Sequence, residues 1–368
     1  MKRFYLLPVF LFFTFHFSFT LSPPQCLAQI LTGNLPSQTW QDSYNAFLQE
    51  FQEQNFKKAI ETGNKTLILI GQKDTNYVRV LRYIAFAFYC IQDYNKAVET
   101  YNETQKLCKM LYGESNYNYI LVTYNLAINY TYIGKYSLAY PLMKEVMDFI
   151  IKDQGKNSLD YINTANQQAN IYTIAGSYEK AEEIYEDVFE VVKSSYNETD
   201  SMYMATVNII APFYFSHGMF EKAEPFYTHA VEVMEKSYGK LSANYIATLN
   251  SIGEFYLKAG MYEKSEKVYL DFVKLCREYY GKTSADYATA INNLAVTYEK
   301  QGKNTQAEDL YLQSLSIKEK VYKKESDFYA LTLSNLAVLY DNMGKYKEAE
   351  TLLNESIEIY RKIYGDSN

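Results

Sequence analysis

Six glycines, Gly134, Gly176, Gly218, Gly260, Gly302 and Gly344, recur at a fixed interval of 42 residues. A period of this length belongs to repeat architectures: each copy is one small unit that cannot bury its own apolar face and must stack on its neighbours. One step further back lands on Gln92, Tyr94 and Ala97, so seven copies share one register from about Asp74 to the end. An eighth, degenerate copy lies upstream around Trp40 to Leu69, with Phe56 and Ala59 as its remnant.

The columns within the period predict two helices per copy. Fifteen residues before the glycine column stand Tyr77, Tyr119, Tyr161, Tyr203, Tyr245, Tyr287 and Tyr329. Three residues before each of these come Asp74, Asn116, Ser158, Asp200, Ser242, Ser284 and Ser326, all of which can cap a helix through a side-chain oxygen. Helix A therefore starts at this column. Near its end a small residue (Ala85, Ala127, Ala169, Ala211, Gly253, Ala295, Ala337) precedes an aromatic by three, which places both on one face. After the turn, helix B carries Ala97, Ala139, Ala181, Ala223, Ser265, Ala307 and Ala349, small enough for two helices to approach closely. Four residues later on the same face come Tyr101, Met143, Tyr185, Tyr227, Tyr269, Tyr311 and Leu353. Pairs such as Tyr112-Gly113 and Tyr238-Gly239 mark the helix B stop. With Gly 15 and Pro 7 set against Tyr 39 and Phe 21, breakers are scarce, as an all-helical chain requires.

The order small, aromatic, Gly, Tyr, Ala, Tyr resembles the tetratricopeptide repeat. The 42-residue length and segments such as Ala290-Ile291-Asn292-Asn293-Leu294-Ala295 are similar to its kinesin light chain variant. The loop between units departs from that variant, with Ser284-Ala285-Asp286 where His-Pro is often found. The resemblance implies an all-α fold, a right-handed superhelical solenoid of antiparallel helix pairs whose concave groove takes an extended peptide or protein. Repeats of this length also resemble those upstream of a caspase-like CHAT domain in some bacterial proteins. The alternative expectation is therefore the recognition portion of a longer enzyme.

Charge and reactive residues leave little room for other classes. The formal net charge of -7 without a basic run argues against nucleic acid or an anionic membrane as partner. Lys2 and Arg3, the apolar run Phe4 to Leu21, and Cys26-Leu27-Ala28 read as a secretory signal peptide cleaved after Ala28. The expected division is 1–28 signal peptide, 29–38 linker, 39–73 degenerate repeat and 74–368 seven repeats, with the mature chain exported to a periplasm or the outside. Cys108 and Cys276 lie four periods apart and Cys90 at the opposite end of its hairpin from Cys108, so no disulfide is expected. His217 and His229 lack metal-ligand spacing, and no nucleophile elbow or phosphate loop is present. No catalytic residue, metal or cofactor is expected. Carboxylates such as Glu182, Glu183, Glu348 and Glu350 read as solvated helix B faces.

One column points to binding. Ten residues before the glycines stand Asn166, Asn208, Asn250 and Asn292, preceded in register by Arg82 and Tyr124 and followed by Ser334. The resemblance implies that this helix A position faces the groove and that such asparagines hold the backbone of a bound peptide. An amide both donates and accepts, so it reads a peptide bond whatever the side chain. The same residues also fit a structural role, bonding to the neighbouring helix. At the other end, Ile357, Ile359, Tyr360, Ile363 and Tyr364 form an apolar face without a capping helix, and Asn368 falls at the next cap position. Truncation there, or self-association through the last repeat, is expected.

Overall fold

A computed structural model of the chain describes residues 39–365. The expected leader, the linker and Asn368 lie outside the described residues. The helices follow the period: α1 (Trp40–Gln52) and α2 (Phe56–Ile70); α3 (Thr75–Cys90) and α4 (Tyr94–Tyr112); α5 (Tyr117–Tyr132) and α6 (Tyr136–Gln154); α7 (Leu159–Ile174) and α8 (Tyr178–Ser195). Then come α9 (Ser201–Ser216) and α10 (Phe220–Tyr238), α11 (Ala243–Lys258) and α12 (Tyr262–Tyr279), α13 (Ala285–Lys300) and α14 (Asn304–Tyr322), and α15 (Asp327–Asn342) and α16 (Tyr346–Tyr364). We number the units from the pair α3 and α4, so that the fourth is α9 and α10.

The caps form at six of the seven predicted positions; Ser284 Oγ, for example, accepts from the Tyr287 N–H at 3.1 Å. Asp200 is the exception. Its carboxylate accepts from the Asn197 N–H at 2.8 Å and makes no bond to the first turn of α9. The loop before it also differs: Asn197 stands where Gly113, Gly155, Gly239, Gly281 and Lys323 adopt φ values of +66° to +90°, and does not itself take a positive φ.

Helix A packs on helix B through the small columns. The alanines at 85, 127, 169, 295 and 337 and at 97, 139, 181, 223 and 307 are fully buried. Gly253 is the one glycine in the helix A column for a steric reason. A Cβ there would stand 2.7 Å from the Tyr269 ring, and Ser265 Oγ donates to the Gly253 carbonyl.

A polar staple joins each unit to the next along the second half of the solenoid. Glu224 on α10 accepts from the Tyr256 hydroxyl at 2.9 Å and Lys264 Nζ at 2.5 Å. Glu308 likewise meets Tyr340 at 2.8 Å and Lys345 at 3.3 Å, Glu266 meets Lys303 at 2.7 Å, and Glu182 pairs with Lys222. Each lysine also lies over a tyrosine of its own unit, as Lys345 does over Tyr340 at 4.7 Å. The expectation that Glu182 is a solvated face is thus corrected: its partner stands in the next unit. At the C-terminal end Ile357, Ile363 and Tyr364 are exposed, whereas Ile359 is buried in the same apolar core as Leu333 and Leu336 of α15.

Candidate functional site

The asparagine column divides into two pairs. Asn293 Nδ2 donates to Asn250 Oδ1 at 2.8 Å, and Asn335 Nδ2 donates to Asn292 Oδ1 at 3.4 Å. Each bond runs from one helix A to the next, between a column member and the residue one position later in the following unit. Tyr124 makes the same step to Gln167, and burial pushes its hydroxyl up to about 12. Arg82 reaches forward as well, donating to Asn118 Oδ1 at 3.2 Å.

The step fails at Asn166 and Asn208. The residue that should answer Asn166 is Ile209, which has nothing to donate, and the Asn166 carbonyl oxygen is buried without a partner. The residue opposite Asn208 is Ser251, whose short hydroxyl turns back to the Ala247 carbonyl at 3.3 Å. Asn208 is exposed. Its main chain is exposed too in the hydrogen-bonding sense: four residues on stands Pro212, without an N–H, so the Asn208 carbonyl has no helical donor. Pro212 is the one proline in any helix A of the seven units. A proline in this place was the signal that sequence reading passed over.

Around Asn208 the solenoid opens. Helices α9 and α11 part to leave a trough of about 550 Å³, floored by α10. The floor is Tyr227, Ala230 and Met234, three residues on one helical face. The same positions are buried in the units before and after, as Tyr185, Val188 and Val192 and as Tyr269, Phe272 and Cys276; in the fourth unit all three are only half-buried. At one end Tyr227 stacks on Phe255 with centroids 4.6 Å apart, and Phe215 lies 5.8 Å from Phe255. The polar rim holds neutral groups, Asn208, Asn244, Thr248 and Ser251, and one carboxylate, Glu254, already paired with Lys258 at 2.5 Å.

Tetratricopeptide repeat sequences match this chain at residues 118–194, 201–271, 245–320 and 286–362, more than half of its length. The chain belongs to the tetratricopeptide repeat family. No curated protein matches it. Among solved structures, this tetratricopeptide solenoid is similar to a kinesin light chain-type protein of Podosopora anserina with nearly identical TPR-like repeats: 17% identity, 58% of this chain and 100% of that one, TM-score 0.47. It is also similar to the apo quorum sensor NprR of B. thuringiensis, at 14% identity over 87% and 88% of the two chains, TM-score 0.47. The apo form of RapI aligns at 15% identity over 77% of each chain with a TM-score of 0.50.

Elsewhere in the tetratricopeptide solenoid the reactive side chains serve packing. Cys108 and Cys276 are buried and Cys90 half-buried, all three as free thiols, and burial pushes them up to about 11, 12 and 11 respectively. His217 Nδ1 lies 2.7 Å from the Phe213 carbonyl, while His229 faces the Tyr203 ring at 5.3 Å. Among the described residues no group of His, Cys, Asp or Glu could hold a metal ion, and no helix is long and apolar enough to cross a membrane.

Proposed function

We propose that this tetratricopeptide protein is an exported, non-catalytic scaffold that binds an extended peptide or protein along the helix A side of its solenoid. The observation that carries the reading is the pair of unanswered amides at Asn166 and Asn208. At Asn250 and Asn292 the side-chain oxygen accepts from the next unit, whereas at Asn166 and Asn208 no such bond forms. A peptide backbone, which offers an N–H and a C=O at every residue, is the ligand that such a surface accommodates. Export follows from the charged start, apolar run and Cys-Leu-Ala site of the first 28 residues.

The test is a pull-down with residues 29–368, beside the same chain carrying Asn166→Ala and Asn208→Ala, with mass spectrometry of what each retains. A partner held by the first and lost from the second supports the reading. Equal retention by both places binding elsewhere and removes the helix A surface from the account. N-terminal sequencing of the protein from its native host tests export, with Gln29 as the expected first residue and Met1 as the contrary result.

A further inference from the structure

The trough of the fourth unit has a chemistry of its own, and the geometry points to one kind of occupant: an extended peptide segment that inserts a bulky, uncharged apolar side chain between α9 and α11. This inference rests on the scaffold reading above and deepens it. The floor of Tyr227, Ala230 and Met234 is apolar surface that every internal neighbouring unit buries. Leaving it in water is unfavourable in proportion to its area, so a matching apolar group gains by covering it. The trough's volume of about 550 Å³ accommodates one or two large side chains rather than a helix.

The rim decides against a charged anchor. Asn208, Asn244, Thr248 and Ser251 are neutral, and Glu254 is matched by Lys258. A lysine or glutamate carried into the trough would lose water without meeting a free counter-charge, which disfavours it strongly. What the rim does offer is directed at a main chain. The Asn208 carbonyl, deprived of its donor by Pro212, accepts from a peptide N–H, while the Asn208 side-chain amide lies on the same stretch of α9 and both donates and accepts. Backbone bonds at the rim and an apolar anchor on the floor together describe a neutral, extended segment.

Two variants make the inference testable. Ala230→Trp fills the trough from its floor, and because Ala230 is not enclosed the added ring has space. Pro212→Ala lies on the exposed side of α9 and restores the helical donor to Asn208. A random dodecapeptide library displayed on phage, panned against residues 29–368, serves as the probe, and the melting temperature of each variant is recorded alongside. The expected result is enrichment of peptides with a large apolar residue flanked by uncharged ones. Synthetic copies of these should bind Ala230→Trp at least tenfold more weakly and Pro212→Ala severalfold more weakly, with melting of both variants not lowered. Peptides that bind Ala230→Trp as well as the parent overturn the trough and leave the scaffold reading standing. Enrichment of strongly charged peptides overturns the occupant. A library from which no peptide emerges contradicts the scaffold reading and this inference together.

Discussion

The Tyr256 hydroxyl donates to the Glu224 carboxylate at 2.9 Å across the boundary between the fourth and fifth units. Lys264 donates to the same oxygen. Its hydrogen bond is the largest influence holding Glu224 below the usual carboxylate range, opposed by partial burial and assisted by Tyr256. Glu266 is lowered in the same way, first by Lys303. A carboxyl with a depressed folded-state pKa adds stability that is fully present above its unfolded value, about 4.3, and is lost as pH falls through the folded one. Urea midpoints are therefore expected to hold from neutrality to about pH 5 and then fall. Glu224→Gln should flatten that fall and cost about 1 kcal/mol at pH 7, the low end for a charged hydrogen bond because the lysine is half in water.

Lys318 gives the opposite sign. It occupies the column of Cys108, Ile150, Val192 and Cys276, is 2% exposed, and has Thr332 as its hydrogen-bond acceptor at 2.8 Å. Burial lowers its amine to about 8, with Asp327 opposing. The unfolded chain, with an ordinary lysine value near 10.4, then binds more protons between these two values, so this group makes stability rise with pH across that window. Lys318→Met should stabilise by about 2 kcal/mol at pH 7. Its advantage over the parent should shrink as pH rises from 8 to 10. Taking the difference between the two proteins cancels the tyrosines, which titrate nearby.

Gly253→Ala should destabilise by about 1–3 kcal/mol, the range for overpacking, because the Tyr269 ring occupies the place of the new methyl. The double change Gly253→Ala with Tyr269→Leu should recover part of the loss, read by the same urea titration.

How far the sequence carried this result depends on the distance to each residue's partner. The period, the turn glycines, the helix pairs and six of the seven caps were legible because their causes lie within a few residues: a left-handed turn, a side-chain oxygen three residues from its N–H, a small residue against a ring. Glu182 was misread because its lysine stands 40 residues ahead. Asn166 and Asn250 look alike within their own units and differ only through Ile209 and Asn293 one unit later. Tyr227 is the same residue as Tyr185 and Tyr269, and its opening depends on how α9 and α11 sit; the proline at 212 and the missing glycine at 197 were the only written signs.

The most direct test compares two pairs of asparagines in binding and in melting. Asn166→Ala with Asn208→Ala removes the unanswered amides; Asn250→Ala with Asn292→Ala removes the two that bond to the next helix. At about 1 kcal/mol for each hydrogen bond lost, the first pair should weaken binding of a recovered partner roughly ten- to thirtyfold and leave the melting temperature in place. The second should lower the melting temperature and leave the affinity of the folded protein nearly unchanged. If instead the first pair lowers melting without touching affinity, or the second abolishes binding at unchanged melting, the division of the column between partner and solenoid is wrong.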